Sequence, residues 1–168
     1  MTRKQELMKN LIYDIGKILL ICMFMLLMDL PSTLSYLSQR NKAKESEAKM
    51  YVGSMNRAQQ ALFIETSAFA TSVNALGIGI KTETTNFKYS VSATKQIAFN
   101  YGVSTNEKLR SYTGGVFVIR IRSNNAQDEI TTKTILCRAD KPGTATPLSP
   151  TIQNNKLVCG SGTTAVIK

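Results

Sequence analysis

The hydrophobic pattern changes character twice along the chain. From Ile18 to Met28 the residues are apolar without a break. About eleven such residues suit the core of a secretory signal or a buried helix, and only an extension from Leu11 to Leu30 reaches the roughly 30 Å of a bilayer core. That extension admits Asp14, Lys17 and Asp29, all near its ends. Asp14 and Lys17 stand three apart and can face each other on a helix. Lys17 can snorkel and Asp29 can reach headgroups. The expected membrane helix is carried by Ile18, Leu19, Leu20, Ile21, Phe24, Leu26, Leu27 and Met28.

Beyond Pro31, apolar residues recur at steps of three and four: Ala48, Tyr51, Val52, Met55, Ala58 and Leu62. That spacing draws one stripe along a helix. Lys42, Lys44, Glu45, Glu47, Lys49 and Arg57 are assigned to the opposite side, with Glu45 and Lys49 in the favourable i,i+4 order. Because a helical pattern lies on both sides of Pro31, the proline is expected to bend the helix there. From Thr66 to Lys81 the chain reads as a connection in which Ser72 caps a short turn and Leu76-Gly77 closes it.

From Asn86 the period drops to two. Phe87, Tyr89 and Val91 alternate with polar neighbours as one side of a strand does. Further strands are predicted over residues 96–101, 116–121, 132–138 and 156–159, the third entered through Gly114-Gly115. Pro142-Gly143, Pro147 and Pro150 mark the stretch from Arg138 to Asn155 as loop. The predicted fold class is α+β: a long N-terminal helix, membrane-anchoring in its first half and amphipathic in its second, packed on a four- to five-stranded antiparallel sheet. The corresponding segments are 1–31, 32–66 and 67–168.

Charge and cysteines refine this picture. Arg3, Lys4 and Lys9 precede the apolar run, which favours a cytoplasmic N-terminus and an extracytoplasmic domain. A cleaved secretory signal is the competing reading, but it requires a small-x-small site. Thr33-Leu34-Ser35 is a poor one, and no Ala-x-Ala follows the run. On the oxidising side of a membrane, Cys137 and Cys159 are expected to form a disulfide that closes the proline-rich loop. Cys22 is left as a free thiol in the apolar helix. The formal charge of +10 and pI near 9.7 come from scattered cations with no arginine-rich block, so weak contact with polyanions, DNA included, is the most the charge implies.

Enzymatic chemistry finds no support. Histidine is absent, so no nucleophile–histidine pair can form and the commonest zinc ligand is missing. Gly77-Ile-Gly79 is half of a dinucleotide fingerprint without a βαβ context and reads as a turn. Glu65, Glu83, Glu107, Asp128, Glu129 and Asp140 are dispersed. Neither catalytic residues, cofactor nor metal are expected.

Several segments, in order and at characteristic spacing, carry a resemblance. They are Asn41-Lys-Ala-Lys-Glu-Ser-Glu-Ala-Lys49, Tyr51-Val-Gly-Ser-Met-Asn-Arg-Ala-Gln-Gln-Ala61, Phe69-Ala-Thr-Ser, Ala75-Leu-Gly-Ile-Gly79 and Lys81-Thr-Glu-Thr-Thr-Asn-Phe-Lys-Tyr-Ser90. They continue with Tyr112-Thr-Gly-Gly-Val-Phe-Val118, Ile135-Leu-Cys-Arg-Ala-Asp140 and Cys159-Gly-Ser-Gly-Thr-Thr164. Nearly everything after about residue 40 thereby resembles type IV pilins, in particular the pilin-like proteins of cyanobacteria. The resemblance implies a pilin fold, a role as structural subunit or minor component of a pilus or pseudopilus, and partners in other pilin subunits, the inner membrane and the assembly machinery. It also implies display on a cell-surface filament, with motility, secretion and adhesion as its uses. The alternative is an anchored extracytoplasmic binding or adhesion domain that does not polymerise.

The N-terminus departs from the family pattern. With Pro31 set on the pilin helix proline, Lys9 stands where the cleavage glycine should be, and Asn10-Leu-Ile-Tyr-Asp14 occupies the place of Phe-Thr-Leu-Ile-Glu. Asp14 then takes the position of the glutamate that neutralises a neighbouring subunit's terminal amine during assembly. Its other reading is a lone interfacial charge beside Lys17.

Overall fold

The computed structural model describes residues 3–28, 30–121 and 129–166, with side chains at all of these except 26–28 and 30–34. They form two units, Met1–Arg40 and Asn41–Lys168. Helix α1 spans Arg3–Met28 and helix α2 spans Leu30–Thr66. Asp29 lies outside the described residues, as do the side chains of Leu26, Leu27, Met28 and Pro31 assigned to the membrane helix and the kink. Pro31 falls in the first turn of α2, where its missing N–H removes no intrahelical bond.

In the second unit, the half of α2 from Asn41 onward lies against an antiparallel sheet. The strands are β1 (Phe87–Ala93), β2 (Ile97–Ser104), β3 (Tyr112–Ile121), β4 (Glu129–Ala139), β5 (Thr151–Gln153), β6 (Lys156–Val158) and β7 (Thr163–Ala165). Five of them make one sheet in the order β1-β2-β3-β4-β7, while β5 and β6 form a separate hairpin. The predicted architecture is therefore present, but its fifth strand is a different segment. Residues 156–158, expected in the main sheet, pair instead with 151–153. Asn154 and Asn155 both hold positive φ (48° and 61°), the backbone of a tight two-residue hairpin turn, and they fold β6 back on β5. The vacated edge of β4 is taken by Thr163–Ala165, which pairs with Cys137–Ala139.

The helix stripe read from the sequence is the core. Ala48, Val52 and Met55 are fully buried, with Tyr51, Ala58 and Leu62 packed beside them against Phe87, Tyr89, Tyr112 and Leu109. A second cluster joins Phe69, Ala98 and Val116 to Phe63 and Val118. Each Val, Leu, Met or Phe among them contributes roughly 1.5–3 kcal/mol on removal from water. Ser72 and Gly77 frame the short 3-10 turn Asn74–Leu76 as expected: Ser72 Oγ accepts from the Ala75 N–H, and Gly77 carries φ 67°.

Strand β3 shows why one helix does not suffice. From Tyr112 to Phe117 every residue is buried, on both sides of the strand. Residues 112, 114, 116 and 118 face the helix, so a second layer must cover 113, 115 and 117. That layer is the C-terminal loop. Pro150 lies over Gly115, where a Cβ would come 2.6 Å from the proline ring. Beside it, Phe117 meets Phe99 edge-on at 5.9 Å, and Ser149 Oγ shares a 2.6 Å hydrogen bond with the Tyr101 hydroxyl.

Candidate functional site

Two constructions in the second unit gather its polar and covalent contacts: a polar seam between helix and sheet, and the loop that the cysteines close. In the seam, polar residues interrupt the apolar stripe. Asn56 donates from Nδ2 to the Ile135 carbonyl (3.0 Å) and accepts at Oδ1 from Asn100 Nδ2 (2.8 Å). It reaches the strands only because Gly114 has no side chain; a Cβ there would collide with the Asn56 amide. Gln59, fully buried, exchanges two bonds with the Ala70 backbone, at 2.8 and 2.9 Å, and so fixes the reversal after the helix. Gln60 Nε2 reaches Thr132 Oγ1 at 3.1 Å.

Two carboxylates assigned from the sequence to the solvent side belong to this seam. Glu45 is only 5% exposed and accepts the Arg110 backbone N–H at 3.0 Å, with the guanidinium of Arg110 at 4.0 Å. Glu47 accepts hydroxyls from Thr84 (2.6 Å) and Tyr89 (3.1 Å). The connections before β1 and β3 rise beside the helix, so the contact is wider than the apolar stripe. Burial first, and then the nearby Glu47 charge, push the Tyr89 hydroxyl well above the ordinary tyrosine range. Burial, then Glu45, likewise raise that of Tyr112.

Cys137 and Cys159 are bonded, with their Cα atoms 5.8 Å apart. Cys137 lies on β4 opposite Thr113, on the face away from the helix, and Cys159 follows β6. The base of the closed loop is fastened again at Arg110, whose Nε donates to the Asp140 carbonyl (3.2 Å), and at the Gly143 N–H, which donates to the Leu109 carbonyl (3.0 Å). Glu45, Arg110 and Asp140 thus form a chain of contacts from helix to loop. The loop encloses a concavity of about 460 Å³ lined by Lys141, Pro142, Thr146, Leu148 and Ser161 among others. Its exposed apolar side chains are Leu148, Ile152 and Val158.

The first unit places Asp14 on α1. The expected approach of Asp14 and Lys17 is not made: the Lys17 ammonium lies over the Tyr13 ring, 4.6 Å from its centre, where a cation–π contact holds it. Among the described residues no ion pair involves Asp14. Leu7, Leu11, Ile18, Leu19 and Phe24 are each 60–65% exposed, and Ile12, Leu20 and Ile21 are exposed with them. Among the described residues no helix is long and apolar enough to cross a membrane. The stretch expected to span, Leu11 to Leu30, runs beyond Met25, the last residue of α1 with a described side chain.

The seam was only partly visible in the sequence. Asn56 and Gln59 stand among apolar residues at core spacing, and Gly114-Gly115 lies inside an otherwise β-prone run, a mark of close backbone approach. Among the described residues no group of histidine, cysteine, aspartate or glutamate side chains is placed to hold a metal ion.

No curated protein and no solved structure matches the chain. One family does, the type IV pilin-like G and H family, along residues 45–160. The matched stretch opens at the buried Glu45 and closes one residue past Cys159, so it takes in the seam, the sheet and the disulfide loop. The chain belongs to the type IV pilin-like G and H family.

Proposed function

We propose that the chain is a subunit or minor component of a type IV pilus or related pseudopilus, held in a membrane by its first helix before assembly. The family gives a type IV pilin-like structural role and association with other pilin subunits. The observation that carries the finer reading is the row of large apolar side chains left open along α1. So much continuous apolar surface is not left in water by a stable monomer. Lipid covers it in the stored subunit and neighbouring α1 helices cover it in the filament, where packing replaces lipid contact. In this reading residues 1–31 anchor, residues 32–66 continue the helix, and residues 67–168 are displayed outside the membrane. Asp14, buried among neighbouring helices, would be costly without a partner, and a neighbour's terminal amine is the fitting one.

Terminal sequencing of the mature protein from cells tests processing. A new N-terminus near Asn10, free or methylated, is expected of an assembling subunit. An intact Met1 or Thr2 favours the second reading, a permanently anchored extracytoplasmic adhesion domain, for which Lys9 in place of the cleavage glycine is the specific support. Asp14→Ala should then abolish incorporation into filaments and leave the amount of membrane-bound subunit unchanged. Normal incorporation of that variant removes the assembly role of Asp14.

A further inference from the structure

We infer that the open edge of β4 takes up an extended, acidic segment of a partner protein as an added strand. Strand β4 pairs with β3 along ten residues but with β7 along only three, from Cys137 to Ala139. The Val166 N–H adds one more bond, to the Leu136 carbonyl. Peptide groups of alternate residues point to the same side of a strand. Those of Leu136 face β7, so those of Ile130, Thr132 and Thr134 face the same edge. Among the described residues no strand pairs with them there. The Thr132 carbonyl accepts from a side-chain donor, Gln60 Nε2 at 3.4 Å, and among the described residues it alone of the three carbonyls does so. An unpaired strand edge is a template for another strand.

Directly beside this edge runs a groove of about 770 Å³ between helix and sheet. Met50 and Gly53 line its helix side, Leu136 and Val166 its sheet side, and Lys49 and Arg57 also line it. No carboxylate among the described residues lines the groove. Among the described residues neither cation has an ion-pair partner; Arg57 donates only to Ser54 Oγ, at 2.9 Å. Ile130, 56% exposed, extends the apolar surface along the edge. A segment of about five residues, roughly 17 Å long, fits from Ile130 to Thr134. Alternate side chains of such a segment would enter the groove, where apolar groups cover Leu136 and a carboxylate meets Lys49 and Arg57. The charge of +10 disfavours a second copy as the occupant.

The test uses the full chain in detergent micelles and the synthetic peptide acetyl-Val-Thr-Glu-Thr-Val-Thr-amide, with a second peptide carrying Lys in place of Glu. The Glu peptide should bind at least tenfold more tightly than the Lys peptide. It should also slow hydrogen exchange at the Ile130, Thr132 and Thr134 amides by tenfold or more. Thr132→Pro removes an outward N–H without touching the β3 ladder and should weaken binding tenfold. Thr132→Val, which loses only the Gln60 contact, should bind within twofold of the parent. Lys49→Glu with Arg57→Glu should reverse the preference between the peptides. The inference is overturned by equal binding of both peptides, by an unaffected Thr132→Pro, by no binding at millimolar peptide, or by edge protection that grows with protein concentration alone, which would mean pairing between copies.

Discussion

Asn56 bonds to two strands at once, and the glycine opposite it is what lets it in. With Asn56 bonded to the Ile135 carbonyl and to Asn100, an added methyl at residue 114 would drive the amide off both partners. Gly114→Ala should therefore destabilise the fold by about 1–3 kcal/mol in denaturant unfolding. In combination with Asn56→Ala the loss should be less than the sum of the two, since each removes the same contact. Tyr89 and Tyr112 allow a prediction in pH. Both hydroxyls are held protonated in the fold beyond the ordinary range near pH 10. The unfolded chain releases those protons first, so it binds fewer protons than the native state above about pH 10. Stability should then fall as pH rises through that region. Tyr89→Phe should lower stability at neutral pH, because Glu47 loses a donor, and should flatten the alkaline decline. An unchanged slope in alkaline unfolding curves would count against burial as its origin.

Among the elements, those with one face toward the core were the most legible in the sequence. The stripe from Ala48 to Leu62 and the alternation of Phe87, Tyr89 and Val91 translate directly into core contacts, because burial on one face writes a period into the chain. Strand β3 is buried on both faces and has no such period, so the sequence marks its start only at Val116, four residues after Tyr112. Strands β5 and β7 are three residues each, too short for any period, and the Asn154-Asn155 turn that makes the hairpin lies in a stretch the sequence marks only as loop. Glu45 and Glu47 read as solvent-facing in the sequence for a related reason: their partners, Arg110, Thr84 and Tyr89, are distant along the chain. The disulfide belongs to this scale too. Replacing Cys137 and Cys159 together by serine should lower stability by roughly 3 kcal/mol, measured against the oxidised parent. A loss near zero would mean that Pro150, Ser149 and Gly143 hold the loop in place without it.

At the scale of the whole molecule the two units differ in how their apolar side chains are covered. The second is covered by the family match from residue 45 and has its own core. The first has apolar side chains without cover. Cys22, the only free cysteine, sits in that apolar helix and gives a clean reporter of what covers it. In native membranes or filaments Cys22 should resist a water-soluble maleimide, and it should label fully after denaturation. Rapid labelling in the native state would remove the case for burial of α1. On the first helix Lys17, which the sequence allows to face Asp14, lies over the Tyr13 ring one turn away.

The closed loop has a consequence for how such a protein can change over time. Its two ends are fixed by the cystine, and its root by Arg110 and Gly143, while Thr144 to Thr146 stand exposed beyond that root. Lengthening a loop between fixed ends costs only about 0.6 kcal/mol per doubling. That stretch can therefore change in length and chemistry with the scaffold beneath it left unaltered.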